Sequence, residues 1–104
     1  MKFDPEEGPV GAKFVTITIP NTVVEIGHSA FRESSRLTNI IIPDSVTHID
    51  MSAFVSCTSL KTIILPDDIK IEMYVFFDCP KLDPKIKADI IKRFGDGVFA
   101  NPYG

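Results

Sequence analysis

The chain has 104 residues, 44% of them hydrophobic and 24% charged, with a net charge of -3 and no Trp. That suffices for one domain with a single modest core, and a pI near 5.2 argues against nucleic acid as a partner, because phosphate binders display a basic face. No run approaches the ~20 apolar residues that a membrane-spanning helix needs.

The amino-terminal stretch Met1-Lys2-Phe3-Asp4-Pro5-Glu6-Glu7 has acids and Pro where a secretory signal needs an apolar run. The expected location is therefore cytoplasmic, or secreted or cell-surface if a signal peptide has been removed. Residues 1–12 hold Pro5, Gly8, Pro9 and Gly11 with little to bury, so a flexible segment is expected there. The strand expected around Phe14 to Ile19 would then keep an unpaired edge.

From Lys13 a unit of 23 residues recurs: KFVTITIPNTVVEIGHSAFRESS, then RLTNIIIPDSVTHIDMSAFVSCT from Arg36, then SLKTIILPDDIKIEMYVFFDCPKL from Ser59. In the middle copy Leu37, Ile40 and Ile42 read as the inward side of a strand. Pro43 stops that strand because it has no amide hydrogen for the ladder, and Asp44-Ser45 suits a turn. Val46 and Ile49 predict a second extended piece. Ser52-Ala53-Phe54 predicts a short helical turn whose Phe plugs the centre of the coil.

Repeats of this length predict a solenoid, in which like residues stack about 4.8 Å apart, the spacing of adjacent parallel strands. The inward columns are Ile17, Ile40 and Ile63; Val23, Val46 and Ile69; Ile26, Ile49 and Ile71; Phe31, Phe54 and Phe76; and Leu37, Leu60 and Leu82. The third copy is one residue short, and the gap is expected between Lys70 and Ile71.

After Leu82 the period becomes helical. Asp83 can cap, Pro84 suits the first helical position, and Ile86, Ile90 and Phe94 recur every four residues with Ile91 alongside. Lys92-Arg93 falls in the last turn and Gly95 at the end. A helix from about Pro84 to Phe94 is expected to lie across the open end of the last coil. The expected division is thus a segment at 1–12, a repeat array at 13–82, and a capping helix and tail at 83–104.

The pattern resembles the BspA-type leucine-rich repeat, carried by Ile26-Gly27, Ala30-Phe31, Ile42-Pro43, Ala53-Phe54, Cys57, Leu60, Cys79 and Leu82. Asp50 and Glu72 depart from it where the family prefers Gly, as do Ser34 for Cys and Val75 for Ala. The resemblance implies an α/β fold: a short right-handed leucine-rich solenoid of parallel strands with a carboxy-terminal helical cap. It also implies binding of a protein or peptide rather than catalysis. A self-assembling structural unit, or a fragment of a larger surface adhesin, is the alternative.

No residues assemble a catalytic, cofactor or metal site by spacing. There is no Cys-x-x-Cys, and Gly95-Asp96-Gly97 follows a helix instead of preceding one. Cys57 and Cys79 share a column, which permits a disulfide, although two reduced core thiols fit such a column better. His48 stacks on Glu25 and is expected in a surface ion pair. His28 shares a half-buried column with Met51 and Met73. The expected contact strip is the outward side of the strands: Thr16 and Thr18, Asn39 and Ile41, Thr62 and Ile64. Exposed Ile41 and Ile64 suggest a contact site, and β-propensity accounts for the same residues on structural grounds.

Overall fold

The computed structural model describes residues 15–103. The segment expected over 1–12 lies outside them. Three strands, β1 (Val15–Thr18), β3 (Leu37–Ile41) and β5 (Thr62–Ile64), form a parallel sheet in the order β1-β3-β5. Shorter strands β2 (Glu25–Ile26), β4 (His48–Ile49) and β6 (Lys70–Ile71) form a second parallel sheet in the order β2-β4-β6. Each repeat thus supplies one strand to each sheet.

The registers stack like on like. Ile17 pairs with Ile40 and Ile40 with Ile63, while Ile26 pairs with Ile49 and Ile49 with Ile71. Between the sheets the Phe rings form one interior file. Phe31 and Phe54 lie 5.0 Å apart and nearly parallel, and Phe54 and Phe76 5.7 Å apart. All three Phe are fully buried, as are Val23, Val46 and Leu60.

Two expectations are corrected. The first concerns the short third repeat. Lys70 pairs with His48, which itself pairs with Glu25. The step therefore falls between Ile69 and Lys70, and the residue lost is the counterpart of Val24 and Thr47 in the link between turn and strand. The second concerns the segment around each Phe, which forms consecutive tight turns and no helix. Ser29, Ser52 and Tyr74 in one column and Glu33, Ser56 and Asp78 in another all have positive φ, between 56° and 68°. A left-handed residue every fourth position breaks a right-handed helical path. It also turns backbone N–H groups toward the next repeat: Phe31 N donates to Ala53 O at 2.7 Å and Glu33 N to Val55 O at 2.8 Å.

Helix α1 spans Pro84–Phe94, with Asp83 accepting from Lys85 N at its start and Gly95, at φ +83°, at its end. Ile90 is buried in the core, Ile86 and Phe94 pack against it, and Ile91 stays exposed. A 3-10 helix, Asp96–Phe99, follows. Its Val98-Phe99 repeats the Ala-Phe step once more: Phe76 N donates to Val98 O at 2.8 Å, and the Phe99 ring lies 5.7 Å from Phe76. The interior file therefore has a fourth Phe, and α1 occupies the stretch in which a fourth repeat would carry its strand.

Candidate functional site

The outward strip read from the sequence is gathered by the β1-β3-β5 ladder. Thr16, Asn39 and Thr62 form one row, and Thr18, Ile41 and Ile64 the next. Side chains alternate across a strand, so turning Ile40 and Ile63 into the core, with Ile17 partly buried beside them, turns both rows outward. The first row is tied internally: Thr62 Oγ1 donates to Asn39 Oδ1, and Asn39 Nδ2 donates to Thr38 Oγ1 at 3.1 Å. In the second row Ile41 and Ile64 are each 58% exposed. Two β-branched apolar side chains stand side by side in water there, beside the hydrogen-bonded Asn39 and Thr62.

Other candidates resolve differently. His48 is held on both ring nitrogens: Nδ1 lies 3.1 Å from Glu25 and Nε2 3.1 Å from Glu72. Glu72 in turn lies 3.6 Å from Lys70 Nζ. The sequence pointed to Glu25 alone. Glu72 was missed because it sits on the diagonal, brought there by the missing residue before Lys70. The bond to Glu72, ahead of that to Glu25, holds the His48 imidazolium above its ordinary value despite partial desolvation. The same bond holds the Glu72 carboxyl below its ordinary value.

Cys57 and Cys79 are buried free thiols. They donate to Phe31 O at 3.1 Å and Phe54 O at 3.2 Å, one repeat back in each case. The neighbouring sulfur, and then burial, push the Cys57 thiol far above its ordinary range, which makes it a poor nucleophile. His28, Met51 and Met73 are exposed where half-burial was expected. Among the described residues no group of His, Cys, Asp and Glu is placed to hold a metal ion. No described helix is long and apolar enough to cross a membrane.

Sequence reasoning also missed the groove of about 340 Å³ between β5 and α1, lined by Ile64, Leu65, Ile86, Lys85, Asp89 and Arg93 among others. Its only trace in the sequence is Pro84, which ends strand pairing where a fourth strand would begin.

Parallel strands stacked in register around one Phe file are the geometry of a leucine-rich repeat array. The family model for the BspA type leucine rich repeat region (6 copies) matches residues 11–103. The chain belongs to that family. The match runs past Leu82 through the helix and the 3-10 segment, in keeping with Phe99 continuing the file. No curated protein matches the chain. Among solved structures, a T. pallidum leucine-rich repeat protein is similar at 31% identity over 68% of this chain and 36% of its own, with a TM-score of 0.63. A leucine-rich repeat protein from Bacteroides ovatus is similar at 32% identity over 65% of this chain and 20% of its own, with a TM-score of 0.60. The chain thus spans about a third and a fifth of these two proteins.

Proposed function

We propose that this chain is a short right-handed solenoid of 23-residue coils, closed by its carboxy-terminal helix, that acts as a non-enzymatic module for recognising a protein or peptide. Contact is made through Thr16, Thr18, Asn39, Ile41, Thr62 and Ile64 on the strand face, with the adjoining turns. The observation that carries this reading is the pair Ile41 and Ile64, adjacent in register and each 58% exposed. Family membership supports a binding role, and the greater length of both structural neighbours suits a module within a longer array or surface adhesin. Three strands span only about 10 Å across the ladder, short of the roughly 800 Å² per partner of a standard interface. A peptide ligand, or use in multiple copies, follows from that size.

The test is the double variant Ile41→Asp/Ile64→Asp. It should keep the parent's circular dichroism and melting while losing capture of a partner in pull-down. Unchanged capture by a folded variant would remove this face from consideration.

A second reading, self-assembly, is favoured by β1, which among the described residues pairs on one side only. It expects a sedimentation mass that rises with concentration in the absence of any other protein. A constant monomer mass would end it.

A further inference from the structure

The outer edge of β5 is left open by the way the chain leaves it. Lys61 N donates to Thr38 O at 2.8 Å, and one repeat later Asp83 N donates to Lys61 O at 2.9 Å. The ladder therefore begins a fourth step. The next residue is Pro84, which has no N–H to continue it and starts α1 instead. In a parallel ladder, the backbone groups of successive residues face opposite sides. Ile64 O accepts from Ile42 N on the β3 side, so the N–H and C=O of Ile63 face outward into the groove between β5 and α1. Among the described residues no backbone group pairs with them there.

We propose that this groove takes an extended acidic peptide of a protein partner as a fourth strand beside β5. The mode rests on the reading of the chain as a recognition module but uses the sheet's edge in place of its outer face. Backbone bonds to Ile63 would supply the pairing, and Ile64 and Ile86 the apolar contacts. The charge of the peptide follows from the rim, where Arg93 Nη1 already lies 3.8 Å from Asp89, the groove's one lining carboxylate, so that Lys85 is the lining charge with no ion pair among the described residues. Arg93 is already fixed in place, with Nη2 donating to Pro66 O at 2.6 Å, whereas Lys85 is exposed. With three residues in β5 and about 340 Å³ of space, the groove admits one extended segment and not the body of a second copy.

The experiment titrates the isotopically labelled full chain with two acetylated, amidated pentapeptides, Glu-Val-Val-Val-Glu and Lys-Val-Val-Val-Lys, following backbone amides by NMR. The acidic peptide should shift the amides of Ile63, Leu65 and Ile86 and slow hydrogen exchange at Ile63. The basic peptide should do neither. Lys85→Glu should weaken the acidic peptide about fivefold, the scale of a surface ion pair replaced by repulsion, and Glu33→Gly, at a residue that does not line the groove, should leave it unchanged.

Equal binding of both peptides, or no shift at millimolar acidic peptide, would overturn the proposal. Loss through Ile41→Asp but not Lys85→Glu would also overturn it, placing the contact on the strand face. Protection of Ile63 without peptide would assign the edge elsewhere and overturn it too. Dependence of that protection on concentration would indicate a second copy. Loss of the protection in Glu6→Lys/Glu7→Lys would indicate the chain's own acidic amino-terminal stretch.

Discussion

Each repeat places two non-glycine residues in the left-handed region, a conformation that costs an L-residue roughly 1–2 kcal/mol. At Glu33 the φ is +61° and the side chain is exposed. Its 4.0 Å contact with Arg32 is an exposed pair of little worth. Glu33→Gly is therefore expected to raise stability by about 0.5–1 kcal/mol, and Glu33→Ala to give no such gain, in urea titrations of both variants. No residue type marks these positions in the sequence, since Ser, Glu, Tyr and Asp share the two columns. That is why a helical turn was expected where the backbone reverses.

His48 supplies the pH dependence at the same scale. Its folded value lies above the unfolded one of about 6.5. Its contribution is therefore present in full below that pH and is lost as pH climbs through the raised value. Glu72 works the other way, its value depressed by the same bond, so its contribution is lost as pH falls through that lowered value. Asp50 also faces the ring and raises its value, and Lys70 faces Glu72. The melting temperature should decline from about pH 6 toward pH 9, and His48→Gln should flatten that decline. An equal decline in the variant would assign the pH dependence to other groups.

Among the elements, α1 follows local rules closely enough that its bounds are those read from the sequence. Asp83, Pro84, the four-residue apolar spacing and Gly95 each act within a turn or two of chain. Asp83→Ala should cost about 1 kcal/mol, the loss of one amino-terminal cap. The segment after it was not legible in the same way. Val98-Phe99 copies Ala53-Phe54 in type, but the strand that should precede it is replaced by a helix, so the repeat looks finished at Leu82. The Phe99 ring nevertheless packs tilted against Phe76, with Lys87 Nζ over it at 5.1 Å from the ring centroid. Phe99→Ala should cost about 2 kcal/mol, less than the 3–5 kcal/mol expected for the fully buried Phe54→Ala. A surface-like effect below ~0.5 kcal/mol would separate Phe99 from the file.

For the whole molecule, an interior shared by every repeat means that no repeat can open alone without exposing its neighbours' Phe rings. Unfolding of the described part should then be one transition, and Cys57 and Cys79, both buried, should react with a thiol reagent only at the rate of global opening. Labelling of Cys79 well ahead of Cys57 would show that the last repeat opens on its own. What the amino-acid sequence determined by itself is what repeats or acts locally: the family, the inward columns, the outward strip and the span of α1. Like residues at a fixed period can satisfy their burial only by stacking. Tertiary structure alone decided whatever depends on contacts across repeats without a fixed period. Those are the diagonal Glu72–His48 bond, the left-handed turns that aim N–H groups at the next repeat, and the groove left when Pro84 withholds one hydrogen from the edge of β5.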